Sequence, residues 1–174
     1  DIENIIEDMR NEYKEEKIAI QKENGVLKLS LNGYIGEKQL GIIAEDEYMR
    51  INIVKKDVTY EAENYTVEIT NKTGNYINLL DNTESDEVVM KVNGDTRTVK
   101  GLENGNLVVL PNSKKTIQLP FDKYFDDGAN ADSLVFNAIR ILPEFSGNKD
   151  KAKQEKDKAV KLYSLTINLQ PNNK

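Results

Sequence analysis

The chain has 174 residues, enough for one domain of ordinary size or a domain with an appendage. Its 24 Lys and Arg against 30 Asp and Glu leave a net charge of −6, which argues against a general nucleic-acid binder, because phosphate backbones are met with a basic footprint. His, Cys and Trp are absent, which excludes thiol nucleophiles, disulfides, imidazole acid/base chemistry and every metal site built on His or Cys.

Residues 1–24 read as a helix. Ile2, Ile6, Met9, Tyr13 and Ile20 fall on an a/d heptad stripe, and Asn24-Gly25 supplies a stop. Glu3/Glu7, Asp8/Glu12 and Glu12/Glu16 are like-charged i,i+4 pairs, each costing a few tenths of a kcal/mol, so the helix needs something to pack on. It would cover an edge of a sheet, or form a stalk leading from a membrane anchor upstream of residue 1. From residue 26 the period changes from 3.6 to 2. Leu27, Leu29 and Leu31 alternate with polar residues before Asn32-Gly33. Further strands are expected over 39–43, 49–54, 65–70 and 76–80, with turn chemistry at Asn71-Lys72-Thr73-Gly74-Asn75.

An acidic loop follows at 81–87. The segments 88–92 and 96–99 flank Asn93-Gly94, the strongest hairpin signal in the chain, because a type I′ turn needs positive φ at both central residues. Strands are expected over 107–110 and 117–121, then a loop over 122–133. The stretch 134–142 is nearly continuous apolar, as in a central strand covered on both faces, and Pro143 ends it. Residues 149–161 carry six Lys and three acids, which suits a solvated loop or a short exposed helix. Tyr163, Leu165, Ile167 and Leu169 alternate in the last strand, before Pro171. About ten short, mostly hairpin-linked strands point to a mainly β chain, an antiparallel β-sandwich over 26–174 with an N-terminal α-helix over 1–25.

Two stretches carry a resemblance. Tyr65-Thr-Val-Glu-Ile-Thr-Asn71-Lys-Thr-Gly-Asn-Tyr-Ile-Asn-Leu79 and Leu110-Pro-Asn-Ser-Lys-Lys-Thr-Ile-Gln-Leu-Pro-Phe121 resemble strand–turn–strand steps of Ig-like domains in Gram-positive surface lipoproteins. The resemblance spans residues 48–169. It implies an extracellular, membrane- or wall-anchored Ig-like β-sandwich, and it transfers no catalytic residue. The absence of Cys agrees with that compartment, where a lone thiol is a liability, and equally with a cytosolic chain.

The residues offer little for chemistry. No phosphate-cradling glycine loop occurs. Without His, a serine nucleophile needs a lysine base, and Ser113-Lys114 is the one adjacent pair, at a turn that would keep the lysine solvated. Asp46, Glu47, Asp126, Asp127 and Asp132 would serve a carboxylate-dependent hydrolase if two of them faced each other across a cleft at ~5–10 Å. Calcium is the most reasonable ion, since Asp126, Asp127, Asn130 and Asp132 lie close in sequence around Gly128; a solvated loop explains them equally well. Asp81, Asp86 and Glu87 form a second acidic group. The lysine-rich stretch 149–161 would touch anionic polymer or headgroups, and Tyr34 or Tyr76 would stack on sugars, unless each simply serves solvation or packing. Asn64-Tyr65-Thr66 and Asn71-Lys72-Thr73 match a glycosylation sequon that chance also produces.

The expected function is therefore a non-enzymatic binding or structural module of the cell surface, with no cofactor. Its partner would be a protein or a cell-envelope polymer, not nucleic acid, and membrane contact would come only through an upstream anchor. A calcium- or carbohydrate-dependent adhesion module and a carboxylate hydrolase are the alternatives.

Overall fold

The computed structural model describes residues 19–23, 25–30, 34–59, 61–79, 88–100, 107–122, 131–147 and 151–170. These hold twelve strands: β1 (Ala19–Glu23), β2 (Val26–Ser30), β3 (Tyr34–Glu45), β4 (Met49–Thr59), β5 (Ala62–Asn71), β6 (Tyr76–Asn78), β7 (Val88–Val92), β8 (Asp95–Thr98), β9 (Val108–Val109), β10 (Lys114–Asp122), β11 (Ala131–Leu142) and β12 (Lys161–Asn168). One short helix, α1 (Ala152–Asp157), lies in the lysine-rich stretch.

The protein is mainly β, and all strand pairings among the described residues are antiparallel. One sheet has the order β10-β5-β4-β3. In the other, β11 carries β12 along one side and β7 followed by β6 along its other side. Tyr76↔Leu142 and Asn78↔Arg140 lead directly into Val88↔Phe136 and Val92↔Ala131, so β6 and β7 are two halves of one strand path. Outside them β8 pairs with β7 and β9 with β6 in the same broken fashion. The acidic stretch 81–87 falls between the two halves in sequence. Its residues lie outside the described part.

Alternation builds the core. Met49, Ile51 and Ile53 of β4, Tyr65, Val67 and Ile69 of β5, and Ile117, Leu119 and Phe121 of β10 face inward and are buried. They meet Ile77, Val88, Met90, Leu134, Phe136, Ile139 and Ile141 of the other sheet in one apolar cluster. Asn93 and Gly94 both have positive φ, 50° and 88°, as a type I′ hairpin requires.

The chain changes sheets twice at one corner, between β5 and β6 and between β9 and β10. Asn71, only 2% exposed, holds the two crossings together. Its Nδ2 donates to Asn75 O at 2.7 Å, Leu110 O at 2.9 Å and Val109 O at 3.3 Å. Its Oδ1 accepts from Thr73 N at 2.8 Å and Thr73 Oγ1 at 2.9 Å. Backbone bonds from Asn71 N to Ser113 O and from Asn112 N to Thr73 O complete the corner.

Several expectations need correction. The helix over 1–24 does not extend through its last turn, for Ala19–Glu23 is strand β1, paired with β2 around Gly25. Ile20, assigned to the heptad stripe, stands opposite Leu29. Five cross-strand pairs outweigh one apolar position that a seven-residue gap had linked to the stripe. Residues 1–18 lie outside the described part. The hairpin forms a separate two-stranded sheet beside β3, and Ile20, Leu27 and Leu29 on it are exposed. The loop expected over 122–133 is shorter at both ends. Asp122 closes β10, and Ala131, Asp132 and Ser133 belong to β11.

Replacing Asn71 by Ala leaves buried carbonyls of both crossings without their donor. At about 1–3 kcal/mol per unsatisfied group, Asn71→Ala is expected to lower the unfolding free energy by about 3 kcal/mol in urea titrations, and Asn71→Leu, although more apolar, is expected to recover none of it.

Candidate functional site

The two seams between the sheets are built differently. On the β8/β10 side, Lys100 N donates to Pro120 O at 2.8 Å, Arg97 Nη1 donates to Asp122 O, and Lys100 pairs with Asp122. That seam is closed by hydrogen bonds. On the other side, the edge strands β3 and β12 flank an open cleft of about 470 Å³, continuous with a second hollow of about 240 Å³. Leu40, Ile42 and Ala44 of β3 line one wall, and Ile167 and Leu169 line the other. The volume falls within the ~300–1,000 Å³ of ordinary ligand sites.

One end of the open seam is pinned. The Asp46 carboxylate, in the β3–β4 turn, accepts from Tyr48 N at 2.7 Å and Met49 N at 2.8 Å through Oδ1. Its Oδ2 accepts from the Tyr163 hydroxyl of β12 at 2.8 Å. The Tyr48 and Tyr163 rings lie 5.6 Å apart. Burial, the hydrogen bond to Asp46 and the negative charge of Asp46 push the Tyr163 phenol above its usual range.

The far end of the cleft is cationic. Lys38 of β3 stands directly opposite Lys56 of β4, an unfavourable juxtaposition of like charges. Lys56 is neutralised by Glu63 at 3.2 Å and lies 5.9 Å from the centre of the Tyr65 ring. Lys38 has no ion-pair partner among the described residues and lines the cleft beside Leu169 and Gln170. Burial first, then the charge of Glu63 and its hydrogen bond, push the Tyr65 phenol up as well.

Of the residues singled out in the sequence, those that are described do not converge on this cleft. Asp126, Asp127 and Asn130 lie outside the described residues. Asp132 is in β11, where its Oδ2 accepts from Asn93 N at 2.8 Å and so supports the β7–β8 turn. No group of three or more acidic side chains able to hold a metal occurs among the described residues. Asp46 and Asp132 are far apart: Asp46 binds Tyr163 and Asp132 O accepts from Leu169 N, six residues further along β12, or about 20 Å of strand. Ser113 and Lys114 do not act together, since Ser113 Oγ donates to Leu110 O and Lys114 pairs with Glu68. Tyr76 packs against Phe145, with ring centres 6.2 Å apart, whereas Tyr34 is exposed. In the lysine-rich stretch, Glu155 of α1 accepts from both Ser146 N and Ser146 Oγ.

Sequence reasoning missed the cleft, because it read β3 and β12 as ordinary strands. One signal was present. The run 162–173 contains no charged residue, in a chain whose charged fraction is 31%.

No family model matches the chain, and no curated protein matches it. Among solved structures, a Bacillus subtilis protein provisionally described as a lipoprotein (ycdA) is similar at 11% sequence identity and a TM-score of 0.38. The match covers 78% of this chain and 40% of that one. No helix among the described residues is long and apolar enough to cross a membrane.

Tyr163→Phe removes the pin but leaves Asp46 its two backbone donors, so a loss of about 1 kcal/mol is expected. The raised phenols of Tyr163 and Tyr65 give a sign to the alkaline behaviour. Below about pH 10 their contribution is intact; above it the unfolded phenols ionise first and stability falls. Melting curves taken between about pH 8 and 11 are expected to show a smaller alkaline loss for Tyr163→Phe than for the parent chain, with the Tyr65 share remaining.

Proposed function

We propose that the chain is a non-enzymatic, Ig-like binding domain of a membrane- or wall-anchored surface protein, and that its binding surface is the cleft between β3 and β12. The cleft itself is the observation that carries the reading. Its walls are aliphatic, its rim offers amides, hydroxyls and lysines, and its described lining contains no carboxylate. Such a surface can hold a ligand by contact and lacks the opposed acids that glycoside hydrolysis requires.

Strand order supports the Ig-like assignment. β4, β5 and β10 occupy the places of strands A, B and E, and β6/β7, β11 and β12 those of C, F and G. The path β8/β9 runs beside C, in the C′ place, and β3 is an added edge next to A. The surface location draws on the cysteine-free composition and on the resemblance carried by residues 65–79 and 110–121. The partner is an envelope protein or polymer.

Purified chain mixed with cell-envelope fragments of its source organism is expected to co-sediment with them, and Leu40→Lys, which places a charge in the cleft wall, is expected to reduce the bound fraction at least fivefold while the fold is retained by circular dichroism. A chain that stays in the supernatant, or equal sedimentation of both proteins, would falsify the proposal.

A further inference from the structure

The two edges bordering the cleft differ in how they meet another strand. An edge strand presents a row of unpaired N–H and C=O groups, and proteins blunt such edges with bulges, charges and inward-pointing lysines. β3 carries these devices. Its register against β4 slips between Gln39 and Ile42, around Gly41 with φ of 61°, and Lys38 sits at an inward-facing position in register with Lys56 and Tyr65. β12 carries none of them past Lys161. It continues through Leu162–Asn168 without a charge, a proline or a slip of its own.

The direction of the free groups on β12 follows from its pairing. Leu169 N donates to Asp132 O, toward β11. Backbone groups alternate sides along a strand, so those of Ile167 and Leu165 also point to β11, and those of Asn168, Thr166 and Ser164 point away from it. β12 has no partner on that side among the described residues. Three successive N–H and C=O pairs therefore face the mouth of the cleft.

We propose that the occupant of the cleft is an extended polypeptide segment that pairs with the free edge of β12. The inference rests on the reading of the cleft as a binding surface and names its ligand class. A strand added there places every second side chain over the cleft, where Leu40, Ile42, Ala44, Ile167 and Leu169 receive apolar groups. At the Gln170 end it meets Lys38, whose charge has no described partner, so the segment carries an acidic residue at that end. The main chain supplies affinity, the alternate apolar positions supply register, and the terminal acid fixes direction.

The test uses the full chain and a display library of random linear dodecapeptides. The expected selection is a run of alternating apolar residues with Asp or Glu at one end. A synthetic peptide of that consensus is expected to bind at least tenfold more weakly when its acid is changed to Lys, and Lys38→Glu is expected to reverse this preference. Thr166→Pro removes an N–H that points away from β11, a place where an edge strand tolerates proline, and is expected to weaken binding at least tenfold. On the parent chain, the bound peptide is expected to slow amide exchange at Ser164, Thr166 and Asn168, a measurement that stands even if Thr166→Pro does not fold. No enriched peptide, equal binding to a folded Thr166→Pro, or protection confined to other strands overturns the inference. If peptides fail while Leu40→Lys still abolishes envelope sedimentation, the cleft remains a binding surface and its occupant is not a strand; if both fail, the cleft reading falls too.

Discussion

The architecture depends on a single buried amide. Two of the three passages between the sheets, β5 to β6 and β9 to β10, meet at one corner, and such passages interrupt strand ladders, which leaves backbone carbonyls in a buried place without partners. Asn71 supplies two N–H donors and one oxygen at that point, and all of them are used. A smaller residue would orphan the carbonyls of Asn75, Val109 and Leu110, and a charged one would add a desolvation cost. Because one side chain ties residues 71–75 to residues 109–113, the two sheets are fixed in relation to each other at that corner before any apolar contact is counted.

That constraint divides the sides of the body. Where β8 and β10 run together, backbone and ion-pair contacts seal the layers. Where β3 and β12 run together, sealing is confined to one end, through Asp46 and Tyr163. The aliphatic residues beyond that pin, Leu40, Ile42 and Ala44, are half-buried and lean on the core without closing over it. The cleft is thus the remainder of a two-sheet body fastened at a corner, along one seam and at one point of the other.

Much of this was legible in the sequence, and the reasons are local. The alternations in 49–54, 65–70, 117–121 and 163–169 gave strands because one face of each is buried, which is what a period of two records. Asn93-Gly94 gave its hairpin because few residue pairs accept positive φ twice. Residues 19–24 misled because they hold too few apolar positions to separate a period of two from one of seven. The joining of β6 and β7 into one path was hidden because the two are separated in sequence and strand pairing with β11 is a non-local property. The corner was half-visible. Asn71–Asn75 was read as turn chemistry and Ser113 was placed at a turn, but nothing in either segment says that they touch. The acidic residues near 126–132 drew attention through composition, yet Asp132 supports a neighbouring turn, a role that sequence spacing cannot express.

The cleft was missed for a different reason: its signal is a difference between two edges, and an edge exists only once the sheets are assembled. After assembly, the contrast has physical content. A chain in which 31% of residues are charged has ample means to protect a free strand edge, and it uses them on β3, where a bulge and an inward lysine disrupt pairing. The same chain leaves β12 uncharged past Lys161, with Leu162 63% exposed near the pinned end. An unguarded edge of that kind invites association, so its retention costs solubility unless something occupies it. Solvation explains Lys38 on the opposite wall no better, because a lysine placed for solubility does not need to face inward or stand against Lys56. On the proposed reading the two departures fit together: the uncharged edge of β12 would admit an extended chain from one side, and Lys38, besides guarding β3, would orient it from the other.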